Sequence, residues 1–460
     1  MSTEQGLRRE LRLRGAIALG VGGTIGGGIF VLVGSAAGKA GPAAPVAFVV
    51  AFVAALLIAL PYAELSCRYP RAGGGYAFVS ALLPRPWPFL MGWGFWGSYV
   101  FMSGFITLGF GGYLHALTGL PPRLGALLVI VATIAVNLRG MRMSAGAQSL
   151  VVGAAVATLV GFGVFGAPHV SADNFTPFLP HGITGVAAAA MLAFLSYAGF
   201  DMVAAAGEEV KSPERTLPRA IIATLLTVLG LYLAVTTVSV GVLSWETLGE
   251  SAAPLSDAVA AFSGDTGKRV LAAAATLTIA ATCNAVLVVM SRIVFAMARD
   301  GLLPRRLSAV GPHTGAPWAA VLCSGAVVGA VALTLSVERT AEVGGFLYVW
   351  HFVLPMAALV VLRRRGGPAP SFRTPAAPVV LTLAFGICAL FLVSGGWQPA
   401  LAGLGWLAVG YAGHWLAVRR GGAGRPARPT AQDGHDEHDG HDGHDEHTAV
   451  RPQNRIDSSG

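Results

Sequence analysis

Apolar residues in this chain rarely alternate with polar ones; they run on. Twelve stretches carry the pattern, at about residues 16–37, 44–66, 88–116, 122–138, 148–168, 184–206, 219–243, 270–298, 317–336, 343–362, 376–394 and 397–418. Each approaches the roughly 20 residues a helix needs to cross a bilayer. In hydrocarbon a spanning segment has to satisfy its own backbone hydrogen bonds, which a helix does within itself. The pattern predicts an all-α polytopic membrane protein of about twelve transmembrane helices. A short charged lead (1–14) precedes the membrane domain (15–420), and 421–460 turns to Gly, Pro, Arg, Asp and His, the composition of a disordered tail.

Composition and charge sharpen this reading. Of 460 residues 54% are hydrophobic and 12% charged, with mean hydropathy +0.65. A soluble domain would lack a charged surface at that balance. The net charge of +8 is informative by position. With the N-terminus placed in the cytoplasm, that side receives Arg8, Arg9, Arg12, Arg14, Arg68, Arg71, Arg85, Arg139, Arg142, Lys211, Arg215, Arg219, Arg299, Arg305, Arg306, Arg363, Arg364, Arg365 and Arg373, and the opposite side only Lys39, Arg123, Lys268, Arg269 and Arg339. This alternation predicts a multi-pass protein of the cell membrane with both termini cytoplasmic. Charges dispersed over short loops form no nucleic-acid patch. "RRELRLR" and the run after it look superficially like a signal peptide, but the run is too long and further spans follow. Cys67, Cys283, Cys323 and Cys388 are scattered, with neither disulfide nor metal spacing.

The first span contains "TIGGGIFVLVG" (24–34). A glycine inside a helix costs about 1 kcal/mol relative to alanine, so three in succession need a reason. Helix packing is one reading: Gly22/Gly26, Gly23/Gly27 and Gly34/Gly38 have four-residue spacing. It suits Gly34 and Gly38, whereas three successive residues point three ways. No G-x-G-x-x-G or Walker pattern passes through these glycines. The other reading is a broken helix. Five spans later "MLAFLSYAGFDMVAAAGEEV" is again small and polar at Ser196–Gly199. Paired interruptions in oppositely oriented units predict inverted repeats (about 15–168 and 184–362), with 376–418 accessory, and a site near the midplane. A helix that stops near Thr24–Ile25 and restarts near Gly28 offers free amides to an anion. Free carbonyls of the preceding halves accept from an ammonium, and the bare glycines leave the ligand room. One carboxylate and one ammonium describe an α-amino acid.

These residues bring in a resemblance. "GGTIGGGIFVLVG", "YAELSCRYPRAGGGYAFV" (62–79), "FLSYAGFDMVAAAGEEVKSPERTLPRAI" (194–221) and "SRIVFAMARDGLLPRRL" (291–307) are similar, in order, to motifs of amino acid permeases of the amino acid–polyamine–organocation superfamily, notably the bacterial relatives of the cationic amino acid transporters. The resemblance implies the leucine-transporter type of fold, with five-plus-five inverted repeats, broken helices 1 and 6, and alternating access. It implies that Gly26, Gly27, Gly28 and Ile29 hold the substrate carboxylate through backbone N–H, while Thr24, Leu195, Ser196 and Ala198 offer carbonyls to the amine. Phe194 and Phe200 beside the second break are gate candidates or packing residues. One departure stands out. Proton-coupled relatives carry a lysine in span 5, and "QSLVVGAAVATLVGFGVFGAP" has none. Thr158, Thr278 and Thr282 then become candidate hydroxyls for a coupling cation, or bond their own helices.

Asp201, one turn past the second break, is a coupling candidate for a proton or sodium ion, or a structural partner of a polar neighbour. Glu64 and Arg68 form an i,i+4 pair. Glu208 and Glu209 with Arg292 or Arg299 are candidates for an inner gate, and His115, His351 and His414 read as packing residues. In the tail His435, His438, His441, His444 and His447 recur every third residue between carboxylates. That suits a divalent metal such as Zn, Ni or Cu, or a solvated low-complexity segment. No cofactor is implied, and no catalytic constellation lies in the spans, so the chain is not expected to be an enzyme. The expectation is a secondary active transporter of amino acids. Its rivals are a polyamine or organic-cation carrier or exchanger, a divalent-metal carrier, which "TIGGGIF" gives no side-chain ligands, and a non-transporting amino acid sensor.

Overall fold

The computed structural model describes residues 11–69, 74–84, 86–140, 145–205, 210–311, 314–366 and 372–419. The contacts divide the chain at Arg425, and every described residue belongs to the first unit. Among the described residues the regular elements are helical, apart from one isolated bridge between Leu11 and Val210.

The first half contains α1 (Leu13–Thr24), α2 (Gly27–Ala40), α3 (Ala44–Arg68), α4 (Gly74–Leu82), α5 (Trp87–Thr118), α6 (Pro122–Leu138) and α7 (Ala145–Gly166). The second contains α8 (Gly182–Ser196), α9 (Phe200–Ala205), α10 (Pro213–Val242), α11 (Trp245–Glu250), α12 (Pro254–Arg299), α13 (Trp318–Thr334), α14 (Val337–Arg365), α15 (Ala377–Ser394) and α16 (Trp397–Arg419). Among the described residues seven helical stretches are long and apolar enough to cross a membrane, and Pro122–Leu138, Gly182–Ser196 and Trp318–Thr334 are shorter apolar helices. The protein is therefore a polytopic, all-helical membrane protein. The segment 244–269 between two apolar runs is largely helical: α11 fills its start, and α12 begins at Pro254 and bends at Gly264, whose φ is 65°.

The burial pattern is that of a bundle in lipid. α5 and α14 are the most enclosed of the long helices, whereas α7 and α15 lie at the rim. Leu150, Phe165, Val379, Val393 and Val409 stand exposed on the rim helices. On a water-soluble protein so much exposed apolar surface would be an association site; here it suits acyl chains. Tight contacts fix α16 to α5: the Trp93 indole donates to Trp406 O (2.8 Å) and the Trp406 indole to Trp93 O (3.3 Å), each ring lying over a glycine of the opposing helix, Gly410 or Gly97.

Charge pairs tie both ends of α14 to the first helices. At its start, Lys39 at the end of α2 reaches Glu338 (2.7 Å) and Glu342 (2.9 Å). At its end, the fully buried Glu64 of α3 accepts from the Arg363 guanidinium and from Thr374 N–H (2.9 Å), with Arg68 at 3.9 Å. Near α4, Tyr76 donates to Asp300 Oδ2 (2.7 Å), and burial together with that carboxylate holds the phenol above its ordinary range. Removing one partner of a buried pair strands the other charge, which typically destabilises by about 3–5 kcal/mol. Glu64→Ala, which strands Arg363 and Arg68, is expected to destabilise the purified protein by about 3 kcal/mol, read as a lowered midpoint of thermal unfolding in detergent. An unchanged midpoint would show that the pair carries no stability.

Candidate ligand site between two interrupted helices

The first interruption lies where α1 gives way to α2. Ile25 leaves the helix (φ −78°, ψ 92°) with its N–H still closing on Val21 O at 2.8 Å, Gly26 is extended, and α2 begins at Gly27. The second is the turn Tyr197–Gly199 between α8 and α9, where Tyr197 N–H and Ala198 N–H tighten onto Phe194 O and Leu195 O, both at 3.1 Å. Gly199 has φ 130°, and a Cβ there would lie 2.5 Å from the Gly23 carbonyl carbon. Glycine alone fits both the dihedral and the contact. The two interruptions touch again at Gly28, whose Cβ would lie 2.9 Å from Ser196 Cα.

A break inside a membrane exposes backbone groups that find no water there, and three side chains answer for some of them. Tyr232 of α10, fully buried, directs its hydroxyl at Ser196 O (2.9 Å) and Thr24 O (3.1 Å), one from each interruption. Thr282 of α12 accepts from Gly27 N–H (3.2 Å) and donates to Thr278 O (2.9 Å). Asp201 accepts from Gly199 N–H (3.0 Å) and from the Tyr99 hydroxyl (3.4 Å), with Tyr62 and Tyr348 within electrostatic reach. By contrast, the amides of Gly26, Gly28 and Ile29 meet no acceptor among the described residues. They open the first turn of α2, the positive end of its dipole.

A cavity of about 30 Å³ lies between the interruptions, bounded by main chain of α1, α2 and α8 and by side chains of α5 and α12. A larger one, about 350 Å³, reaches Gly22, Gly23, Thr278, Thr282 and Arg292 and shares Gly23, Thr282 and Val286 with the first. A third, about 580 Å³, lies beyond α2 beside Lys39, Glu246, Glu250 and Glu338.

Of the residues singled out from sequence, Thr24, Gly26, Gly27, Gly28, Leu195, Ser196, Ala198 and Thr282 line the small cavity, and Ile29 follows in the first turn of α2. Ser196 Oγ is buried without a hydrogen-bond partner. Phe194 and Phe200 are elsewhere, fully buried against Phe352, with Phe194 also against Tyr348 and Phe391. The aromatic residues at the cavity are Tyr99 and Phe105. Thr158 and Thr278 bond Ala154 O and Ala274 O of their own helices. His351 is enclosed by Phe95, Tyr348 and Phe352, and His414 stacks on Phe89. Glu208, Glu209 and the five tail histidines fall outside the described residues.

One expectation is corrected. The three glycines do not leave open room, because Cβ atoms at Gly26 and Gly27 would lie 2.8 Å from Thr282 Oγ1 and 2.9 Å from Ile106 Cγ2. They let neighbouring side chains close over the main chain. Sequence reasoning also missed Tyr232, a lone hydroxyl in an apolar run, and the α5 residues Tyr99, Met102 and Ile106; only the hydroxyls left a signal, as polar atoms inside spans.

Comparison with known proteins accords with this geometry. The profile of the amino acid permease family matches residues 11–406. The chain belongs to that family. The permease is 30% identical to the branched-chain amino acid permease of Bacillus subtilis over 441 residues, covering 91% of this chain and 95% of that one. It is 32% identical to the methylthioribose transporter of the same organism, with the same coverage. Human cationic amino acid transporter 4 is 32% identical over 407 residues, covering 82% of this chain and 64% of the relative. The permease is a membrane transporter of amino acids in the amino acid–polyamine–organocation superfamily, and not an enzyme.

Tyr232→Phe removes the hydroxyl from two buried carbonyls and is expected to destabilise by about 1–3 kcal/mol. Gly199→Ala, which adds a clash with Gly23, is expected to destabilise more. Thermal unfolding in detergent reads both, and a smaller loss for Gly199→Ala than for Tyr232→Phe would contradict the contact between the interruptions.

Proposed function

We propose that the permease is a twelve-span secondary active transporter of the cell membrane, both termini cytoplasmic, that moves α-amino acids by alternating access between two five-span inverted repeats. The observation that carries this reading is the set of amides at Gly26, Gly28 and Ile29 that meet no acceptor among the described residues, Gly26 and Gly28 lining a cavity where two interrupted helices meet. The substrate carboxylate sits on those amides, with the α2 dipole favouring it. The ammonium faces the carbonyls that end α1 and α8. Thr24 O and Ser196 O are oriented by Tyr232, and each keeps a second lone pair for the ligand. Ser196 Oγ adds a hydroxyl to the carboxylate end.

In the proposed orientation the 350 Å³ cavity opens toward the cytoplasm and meets the site at Gly23 and Thr282. On the opposite side Lys39 pairs with Glu338 and Glu342 and Gly34 of α2 packs against Leu248 O, and the 580 Å³ cavity there shares no lining residue with the small one. In this reading the state is inward-facing. Coupling is assigned to a proton at Asp201. Val152 of span 5, not a lysine, lies against Gly22 of α1. Asp201 sits at the second interruption, so protonating it weakens its hold on Gly199 N–H and on Tyr99 and changes the geometry of the substrate's own carbonyls.

Reconstituted permease is expected to accumulate an amino acid in liposomes. Gly28→Val, whose side chain would enter the Ser196 backbone, is expected to abolish uptake while the protein still purifies as a monodisperse species. Asp201→Asn is expected to retain exchange of internal for external substrate and to lose the stimulation of net uptake by a pH gradient. Uptake by Gly28→Val at the wild-type rate would refute the site, and an intact pH response in Asp201→Asn would refute the coupling assignment.

A further inference from the structure

The walls of the small cavity differ in chemistry from end to end. Toward α2 they are main chain, the end assigned above to the carboxylate and ammonium. The remaining wall is Met102, Phe105 and Ile106 of α5, Val286 of α12 and Leu195 of α8, each buried. Among the described residues lining it there is no carboxylate and no base. Asp201 is not among the lining residues, and Tyr99, which is, donates its hydroxyl to it (3.4 Å).

Resting on the site described under Proposed function, we propose that this permease selects neutral aliphatic amino acids, favouring alanine- to valine-sized side chains, and that Ile106 sets the size limit. A ligand whose carboxylate lies on the amides of Gly26, Gly28 and Ile29 has its α-carbon over Gly27. Ile106 closes against that same glycine, its Cγ2 lying 2.9 Å from where a Gly27 Cβ would be, so it borders the space a substrate side chain would enter. Ile106 is β-branched and stiff about χ1, so it yields little. Met102 beside it is unbranched and adapts its shape, which gives tolerance within the aliphatic range. A lysine or arginine side chain would carry its cation into an apolar wall that offers no carboxylate among the described lining residues. The aliphatic wall therefore excludes by charge at every length, and by size through one residue.

The test is uptake of individually labelled glycine, alanine, valine, leucine, phenylalanine, lysine and arginine by the full-length permease in liposomes. Alanine and valine are expected to enter at least about tenfold faster than phenylalanine, lysine or arginine, the discrimination that a small apolar pocket provides. Ile106→Ala is expected to raise the phenylalanine-to-alanine uptake ratio about tenfold. Ile106→Phe is expected to shift preference toward glycine and alanine over valine, so that one variant widens the pocket and the other narrows it. Lysine or arginine uptake matching that of alanine would overturn the neutral class and leave the amino acid site standing. An unchanged ratio in both folded variants would overturn the role of Ile106. Uptake of none of the seven would overturn the proposed function itself, a result distinct from the other two.

Discussion

Everything in this permease turns on backbone groups that a membrane cannot hydrate. A continuous helix hides them, and two helices here are broken at the depth where no water substitutes. The breaks persist because other parts of the chain supply the missing partners. Tyr232 reaches both ends at once, Thr282 takes one amide of α2, and Asp201 takes the amide of Gly199. Among the described residues the amides of Gly26, Gly28 and Ile29 meet no acceptor, and in the proposed site they are the groups that take the carboxylate.

The arrangement also couples distant elements. Tyr232 belongs to α10, Thr282 to α12 and Tyr99 to α5, so each break is held by helices that lie elsewhere in sequence. α14, by contrast, is tied through Lys39 and Glu64 to α2 and α3 at its two ends. A ligand that takes up the free amides of α2 alters the balance among these contacts. The close contacts of Gly28 with Ser196 and of Gly199 with Gly23 mean that neither break moves without the other. Alternating access in a closely packed interior requires discrete rearrangement of this kind, because packed interfaces do not deform continuously.

The side-chain wall follows a different logic from the main-chain end. In the proposed site, backbone amides and carbonyls recognise what all α-amino acids share, and discrimination falls to apolar side chains of α5, α8 and α12 that carry no sequence signature. Relatives with about 30% identity carry names that differ in cargo. That division is what this geometry allows, since a few wall residues change without disturbing the breaks.

The sequence by itself determined the membrane architecture and the location of the interruptions. Apolar runs of spanning length admit few structures in lipid, and three successive glycines with a small, polar stretch five spans later cannot be read as a continuous surface. α1 ends at Thr24 and α8 at Ser196, where local composition is weakest. The sequence misled about what the glycines were for: they accept Thr282 and Ile106 instead of leaving space. It gave Phe194 and Phe200 equal claims to gate and to core, and packing put them in the core beside Phe352. Tyr232, Tyr99, Met102 and Ile106 emerged only in three dimensions. Local propensity is written in neighbouring residues and can be read along a line. A hydroxyl that serves two carbonyls from 208 and 36 residues away is fixed by how helices cross, and that is settled only when the bundle closes.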